Sequence, residues 1–320
     1  MIRAAVLEIC GQPPALASRP APAPAGGQVP ISVAAAPITP LDLLCASGTS
    51  YFGTPATPYV PGVQGVGHRA DGTPVWFATD AGMRPGDGSM AAAVAVPEED
   101  VVALPADAPL VLIAALGLSA VAAHSALTRA GGLAAGEQVI VLGAGGVVGQ
   151  AAVQLALLAG ARRVIAVARS AESLARAREL GAAATVRLLP DEDAGALAAR
   201  LGDAADGPVD LVLDPVFGVP AAAAMRVLRP GGRLVNLGGS AGPTAPIESA
   251  VLRGGSLRLI GYTNNALSKA ERAESLAVVA GHAAAGRLTV DHEVVPVEQV
   301  ADAWQRQAAG GAAGRIVLAF

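Results

Sequence analysis

At 320 residues the chain has room for two domains and a large core. A net charge of −4 and a pI near 5.6 leave no electrostatic footprint for nucleic acid or for an anionic membrane surface. Two cysteines, Cys10 and Cys45, belong to no C-x-x-C pair, and His68, His124, His282 and His292 are scattered without metal-ligand spacing, so neither a disulfide framework nor a metal cluster is expected.

The amino-terminal stretch MIRAAVLEICG has an apolar run broken at Glu8, too short for a signal peptide. Short β runs, Ala4–Ile9 and Val29–Ala34, flank a proline-rich loop, Pro13–Pro24. Further short strands are expected at Thr73–Phe77, Met90–Val96 and Asp100–Leu104, which makes this part an irregular β domain. Thr39 and Asp42 open a turn or a helix, with capping the favoured role for Asp42.

From Ala108 the pattern changes. Pro109–Ala130 reads as an apolar helix ending at Gly131-Gly132, and its run Ala108–Ala123, interrupted by Gly117 and Ser119, is shorter than a membrane span. A soluble cytoplasmic protein is expected.

Gln138–Ala161, QVIVLGAGGVVGQAAVQLALLAGA, is the most informative stretch. A β-branched apolar run turns through Gly143, Gly145, Gly146 and Gly149 into an apolar helix. The spacing fits G-x-x-G-x-x-G at Gly143, Gly146 and Gly149, not G-x-G-x-x-G, because Val148 stands where the last glycine would be. Strand, glycine turn and helix begin a dinucleotide-binding βαβ unit: glycine lets the backbone approach a pyrophosphate, and the helix N-terminus offers free N–H groups. The uncharged run could also be a membrane span, but four glycines and the β-branched run argue against one continuous helix. A tight βα turn without ligand is the other alternative.

The second strand, Arg163–Ala168, is followed by Arg169-Ser170. Folds that bind NAD place an acid about 20 residues past the glycines, to accept from the ribose 2′-hydroxyl. Here Arg169 holds that slot. A guanidinium would pair with the 2′-phosphate of NADPH, with Ser170 as a second donor. The alternative is a solvated arginine at a strand end.

Alternation then continues. A helix at Ser173–Leu180 is capped by Gly181. Strands are expected at Thr185–Leu188, Val209–Asp214, Arg233–Leu237 and Leu257–Tyr262, with helices at Ala194–Leu201 and Pro220–Leu228. Six apolar strands separated by helices predict a doubly wound parallel sheet of the Rossmann type. Ser268-x-x-Glu271 opens a long helix stopping near Gly286, and the tail adds strand Val294-Val295, a helix marked by Val297, Val300, Ala301 and Trp304, and strand Arg315–Phe320. The predicted division is 118–262 for the dinucleotide domain and 1–117 with 263–320 for a catalytic, substrate-binding domain, with a cleft between them.

With these elements placed, the chain resembles the medium-chain dehydrogenase/reductase superfamily, and within it the zinc-independent NADPH:quinone oxidoreductases. The resemblance rests on Pro40-x-Asp42, Pro61–Gly67, Gly88-Ser89-Met90, Gly117–Ala120, Gly143–Gln154, Glu179–Ala182, Asp214-Pro215-Val216 and Arg229–Gly232. It implies an α/β fold, a six-stranded Rossmann sheet inserted into a mainly-β, GroES-like catalytic domain. It implies cofactor contacts from Gly143, Gly145, Gly146, Val147, Val148, Gly149, Arg169, Ser170, Asp214, Pro215, Leu237, Gly238, Gly239 and Ser240. Zinc-dependent relatives carry Cys and His-Glu where this chain has Thr39, Val63 and Gln64, so no metal is expected.

Hydride transfer from NADPH to a quinone or an enone would then rely on hydrogen-bond donors to the carbonyl oxygen. Tyr51 is the first candidate, either as that donor or as a packing tyrosine; Thr39 and Ser119 are others, with capping as the alternative for each. Tyr51, Phe52 and Tyr59 in one loop would form a substrate wall. Asn264 and Asn265 would either line the cleft or form a turn, and the turn is the favoured reading. Two rivals remain, an enoyl-thioester reductase of polyketide or fatty-acid metabolism and a non-catalytic NADPH-binding protein. The apolar strand Ser256–Tyr262 would be a sheet edge, so a homodimer joined there is expected.

Overall fold

A computed structural model describes residues 1–320. The first elements are β1 (Ile2–Val6), β2 (Ala15–Arg19), β3 (Gln28–Pro37), α1 (Pro40–Ala46), β4 (Gln64–His68), β5 (Pro74–Ala78), β6 (Ala93–Pro97), β7 (Val101–Ala103) and α2 (Leu110–Ser125). β8 (Gln138–Leu142), α3 (Val147–Leu158), β9 (Arg163–Ala168), α4 (Ala171–Glu179), β10 (Ala184–Arg187), α5 (Ala194–Ala204), β11 (Val209–Asp214), α6 (Gly218–Val227), β12 (Leu228–Asn236), α7 (Ser249–Gly254) and β13 (Arg258–Gly261) follow. The chain ends with α8 (Lys269–Ala284), β14 (His292–Pro296), α9 (Val300–Ala308) and β15 (Arg315–Ala319). These elements form two units, Met1–Gly117 with Lys269–Phe320, and Leu118–Ser268.

The Leu118–Ser268 unit is a six-stranded sheet in the order β10-β9-β8-β11-β12-β13, with every neighbouring pair parallel. β8 is buried at all five positions, as a central strand covered on both faces requires. Strand order reverses on either side of β8, which puts the topological switch point at its carboxyl end. β13 closes one edge and leaves Leu259 43% exposed. At the amino ends of the strands Arg233, almost fully buried, donates to the carbonyls of Gly131, Gly132 and Asp210 and to both carboxylate oxygens of Glu137. Burial pushes the Glu137 carboxyl up, but hydrogen bonds from Arg233 and the Ala134 N–H, with the Arg233 charge, outweigh it and hold the group below its ordinary value.

The other unit carries a sheet in the order β14-β15-β3-β4-β5-β7, with β6 also paired to β3, and a separate antiparallel pair β1-β2. β2 lies inside the segment expected to be loop. It has no β-branched or aromatic residue, and pairing with β1 from Ile2↔Arg19 to Val6↔Ala15 makes it a strand. β15 lies between β14 and β3, so carboxyl-terminal residues complete a sheet begun near the amino terminus.

The helical run Leu110–Ala130 falls where the pattern places it. By length and composition alone it could cross a membrane, because the helix continues past the shorter apolar run, but 67% of its most apolar window is buried in the fold. It is also not one helix. Gly117 has φ 32°, ψ −132°, a backbone conformation that breaks the spiral, and a Cβ there would collide with the Gln64 side chain. Gln64 is held in turn by the indole N–H of Trp76, which donates to its Oε1 at 3.1 Å.

Candidate functional site

In the Leu118–Ser268 unit the carboxyl ends of three strands converge. Gly143 leaves β8 with φ 64°, and a Cβ on it would meet Val216 Cγ1 at 2.7 Å, just past β11. A Cβ on Gly238, just past β12, would stand 2.5 Å from the Pro215 carbonyl oxygen. Gly149, in the first turn of α3, packs so closely on the Gly143–Ala144 backbone that any side chain there would require the backbone to move. Gly146 is the N-cap of α3, is exposed, and supplies no side-chain cap. Its Cβ direction is open apart from the Gly143 carbonyl at 3.8 Å. The first-turn N–H groups of a twelve-residue helix therefore lie beside the side-chain-free Gly146, next to the half-buried Val147 and Val148. The missing side chains and the sign of the helix dipole suit a diphosphate there.

Other predicted residues of this unit fall around the same edge with different roles. Asp214 is fully buried and turns inward, accepting from the N–H groups of Val216 (3.0 Å) and Phe217 (2.7 Å) and from Asn236 Nδ2 (2.9 Å). Burial pushes its pKa up, against those donors. It shapes the β11 turn and offers no oxygen to a ligand. Leu237 is half-buried and its N–H donates to the Asp214 carbonyl, whereas Gly239 and Ser240 are exposed on the loop beyond. Ser170 caps α4: its Oγ accepts from the Ser173 N–H at 3.0 Å and donates to Ser173 Oγ at 2.8 Å, so its hydroxyl is already engaged. Arg169, at the tip of β9, is exposed and its guanidinium makes no hydrogen bond or ion pair.

Two features of this edge escaped the sequence pattern. Phe217 has φ 58°, ψ −151°, a conformation costing about 1–3 kcal/mol for a residue with a side chain, at the turn held by Asp214. Nothing in D-P-V-F-G distinguishes that backbone from an ordinary turn. Asn264, expected chiefly to turn the chain, does so in a 3₁₀ turn and also ties β13 to α2: its Nδ2 donates to the Leu118 carbonyl and its Oδ1 accepts from the Tyr262 hydroxyl. Ser119 lies one residue beyond that carbonyl, half-buried, in the first turn after the Gly117 break.

In the other unit the candidate substrate residues separate. Tyr51 is 76% exposed, and its ring stacks at a tilt on Phe52, centroids 4.3 Å apart. Tyr59 does not join them. It is 5% exposed, packs in the core with Leu7, Val60 and Met90, and exchanges backbone hydrogen bonds with Leu7. Burial pushes its phenol well above the ordinary range, with the nearby Cys45, Asp42 and Cys10 adding to the shift. The wall expected from three aromatics is thus a pair, because Tyr59 lies on the β-bridge to Leu7 and the exposed loop ends before it.

Thr39 is likewise committed to the fold. It is buried at the N-cap of α1, its hydroxyl accepts from the Asp42 N–H and donates to Asp42 Oδ2 at 2.6 Å, and its own N–H donates to the same oxygen. Asp42 Oδ1 accepts from the Val63 N–H, and Arg315, buried on β15, donates to the Ile38 carbonyl and supplies the nearby positive charge. Burial raises the Asp42 carboxyl and lowers Arg315 to about 10, each opposed by the charge of the other. The arrangement is a capping box whose buried carboxylate lies within the electrostatic reach of a buried guanidinium. No three His, Cys, Asp or Glu side chains are grouped to hold a metal ion.

Comparison with known proteins accords with this architecture. Residues 147–280 match the family model described as zinc-binding dehydrogenase. The quinone oxidoreductase of Thermus thermophilus, whose structure was solved alone and with NADPH, is 29% identical, with a TM-score of 0.83 over 99% of this chain and 100% of that one. The chain is thus similar, over most of its length, to oxidoreductases of the medium-chain dehydrogenase/reductase superfamily. Among superfamily relatives, the quinone oxidoreductase of Lama guanicoe is 27% identical over 93% of this chain and 90% of its own. A phenolphthiocerol/phthiocerol polyketide synthase of Mycobacterium tuberculosis is 29% identical over 93% of this chain, which spans only 14% of that protein.

Proposed function

We propose that this oxidoreductase is a zinc-independent, NADPH-dependent reductase that delivers hydride to a quinone or to the electron-poor C=C of an enone, acting as a homodimer in the cytoplasm. The observation that carries the cofactor choice is the uncommitted Arg169 guanidinium at the tip of β9, where a carboxylate would select NAD. Bound NADPH would supply the hydride. Gly143, Gly145, Gly146, Val147, Val148 and Gly149 would hold the diphosphate, and Pro215, Leu237, Gly238, Gly239 and Ser240 would line the remainder of the cofactor's path. Tyr51 would donate to the carbonyl oxygen as negative charge develops there, while Phe52 offers a flat apolar face; Ser119 would add a hydroxyl near the nicotinamide. The unpaired edge of β13, with Leu259 exposed, suits pairing with a second copy.

Arg169→Ala should weaken NADPH binding by about 1.5–3 kcal/mol, the scale of charged hydrogen bonds, and leave NADH almost unaffected. Fluorescence titration with both reduced coenzymes measures this, and equal losses for the two would contradict the cofactor assignment.

A second reading is favoured by the similarity to the polyketide synthase, namely reduction of an enoyl thioester. Turnover of NADPH with a small enoyl thioester, compared with 9,10-phenanthrenequinone, separates the two.

A further inference from the structure

The register of the parallel sheet sets a second arginine beside Arg169. β10 runs next to β9 with Arg187 paired to Ala168, so the two strands end side by side. Arg187 is exposed, and its Nε donates to the Arg169 carbonyl oxygen at 3.0 Å. That bond leaves both terminal nitrogens of Arg187 without a partner, and no carboxylate pairs with either arginine. The surroundings hold Arg187 in place instead of neutralising it. Arg200 Nη2 donates to the Arg187 carbonyl at 2.7 Å, while Arg200 Nη1 is gripped by both oxygens of Glu192, at 2.6 and 2.8 Å. Glu192 is thus committed to Arg200 and not to Arg187.

Two guanidinium groups stand at adjacent strand tips with no carboxylate between them, and one is anchored by a backbone hydrogen bond. An arrangement of this kind is relieved by an anion that both can reach, and a phosphomonoester presents enough oxygens for two arginines at once. We infer that Arg187 is a second specificity-determining residue, which together with Arg169 clamps the phosphate on the adenosine ribose. This rests on the NADPH reading above and adds to it a residue from the third strand of the βαβ series, held by Arg200 and Glu192 as positioning residues.

Binding of fragments tests the clamp without turnover. Full-length protein is titrated by calorimetry with adenosine 2′,5′-bisphosphate and with adenosine 5′-monophosphate, for the wild type, Arg187→Gln, Arg187→Lys and Arg169→Gln. Arg187→Gln should weaken the bisphosphate about 5- to 10-fold, as expected for an exposed charged contact, and change the monophosphate less than about twofold. It should also flatten the dependence of bisphosphate affinity on salt, while Arg187→Lys, which keeps the charge and loses the fork, should fall between. Unchanged bisphosphate affinity in Arg187→Gln, with a loss in Arg169→Gln, would overturn the role of Arg187 and leave the NADPH reading standing. Equal weakening of both fragments would reduce Arg187 to a support for the Arg169 carbonyl, which also overturns it. If the wild type binds the two fragments equally and Arg169→Gln has no effect, the NADPH reading itself fails.

Discussion

The two units of this chain place chemistry in opposite ways. In the Leu118–Ser268 unit the candidate ligand groups are backbone: N–H groups at the start of α3 and glycines at three strand ends, with the buried side chain Asp214 used only to shape a turn. In the other unit the buried polar side chains, Thr39, Asp42 and Arg315, hold the fold together, and the one aromatic hydroxyl available for chemistry, Tyr51, stands on an exposed loop. A site built from backbone in this way would be rigid, because the sheet fixes it. Recognition by a loop side chain leaves room for substrates to differ while the cofactor stays the same.

Substitutions can break this contrast or sharpen it. The largest effect should come from Asp42→Ala, which strips the Thr39 and Val63 N–H groups and the Thr39 hydroxyl of their buried acceptor and removes a negative charge near Arg315; a loss of about 3–5 kcal/mol in urea unfolding is expected, with coenzyme affinity of the folded protein unchanged. Tyr51→Phe should do the reverse. It should keep stability within about 0.5 kcal/mol, as for an exposed position, and lower kcat about 10²-fold while NADPH binding holds. A structural role for Tyr51 would show as a shifted unfolding midpoint at full kcat. Gly149→Ala forces the glycine turn apart and should cost about 1–3 kcal/mol in stability together with most NADPH affinity, read by thermal unfolding and fluorescence titration. The smallest effect is a slope. Because Glu137 titrates below its ordinary value in the folded chain, its contribution is present at neutral pH and is lost as pH falls from about 4.5 through the folded value. In Glu137→Gln, stability measured against pH should lack that component of the acid limb, and an unchanged limb would mean that the Arg233 contact does not favour the carboxylate.

The sequence disclosed these units unequally. Apolar β-branched runs bounded by glycine located the parallel strands of the dinucleotide unit within a few residues, since burial on both faces leaves a signal in every position. The glycine spacing and Arg169 were legible for the same reason, being local. Arg187 was not, since its meaning depends on strand register. Around β1, β2 and α1 the deciding facts are contacts distant in sequence. β2 exists because β1 pairs with it, Tyr59 is buried because it bridges to Leu7, and Thr39 is engaged because Asp42 must reach Val63 and Arg315. Most of those partners lie more than ten residues apart in the sequence.

The place of β15 between β14 and β3 also sets an order of assembly. During synthesis every residue of the dinucleotide unit leaves the ribosome before Arg315 does, so that unit can close while the sheet begun by β3 still lacks a strand. In the interval Asp42 has donors but no cation. The nascent amino-terminal part therefore carries an unbalanced charge and an open strand edge until β15 arrives, and it is this part, not the Leu118–Ser268 unit, that a chaperone would need to shield.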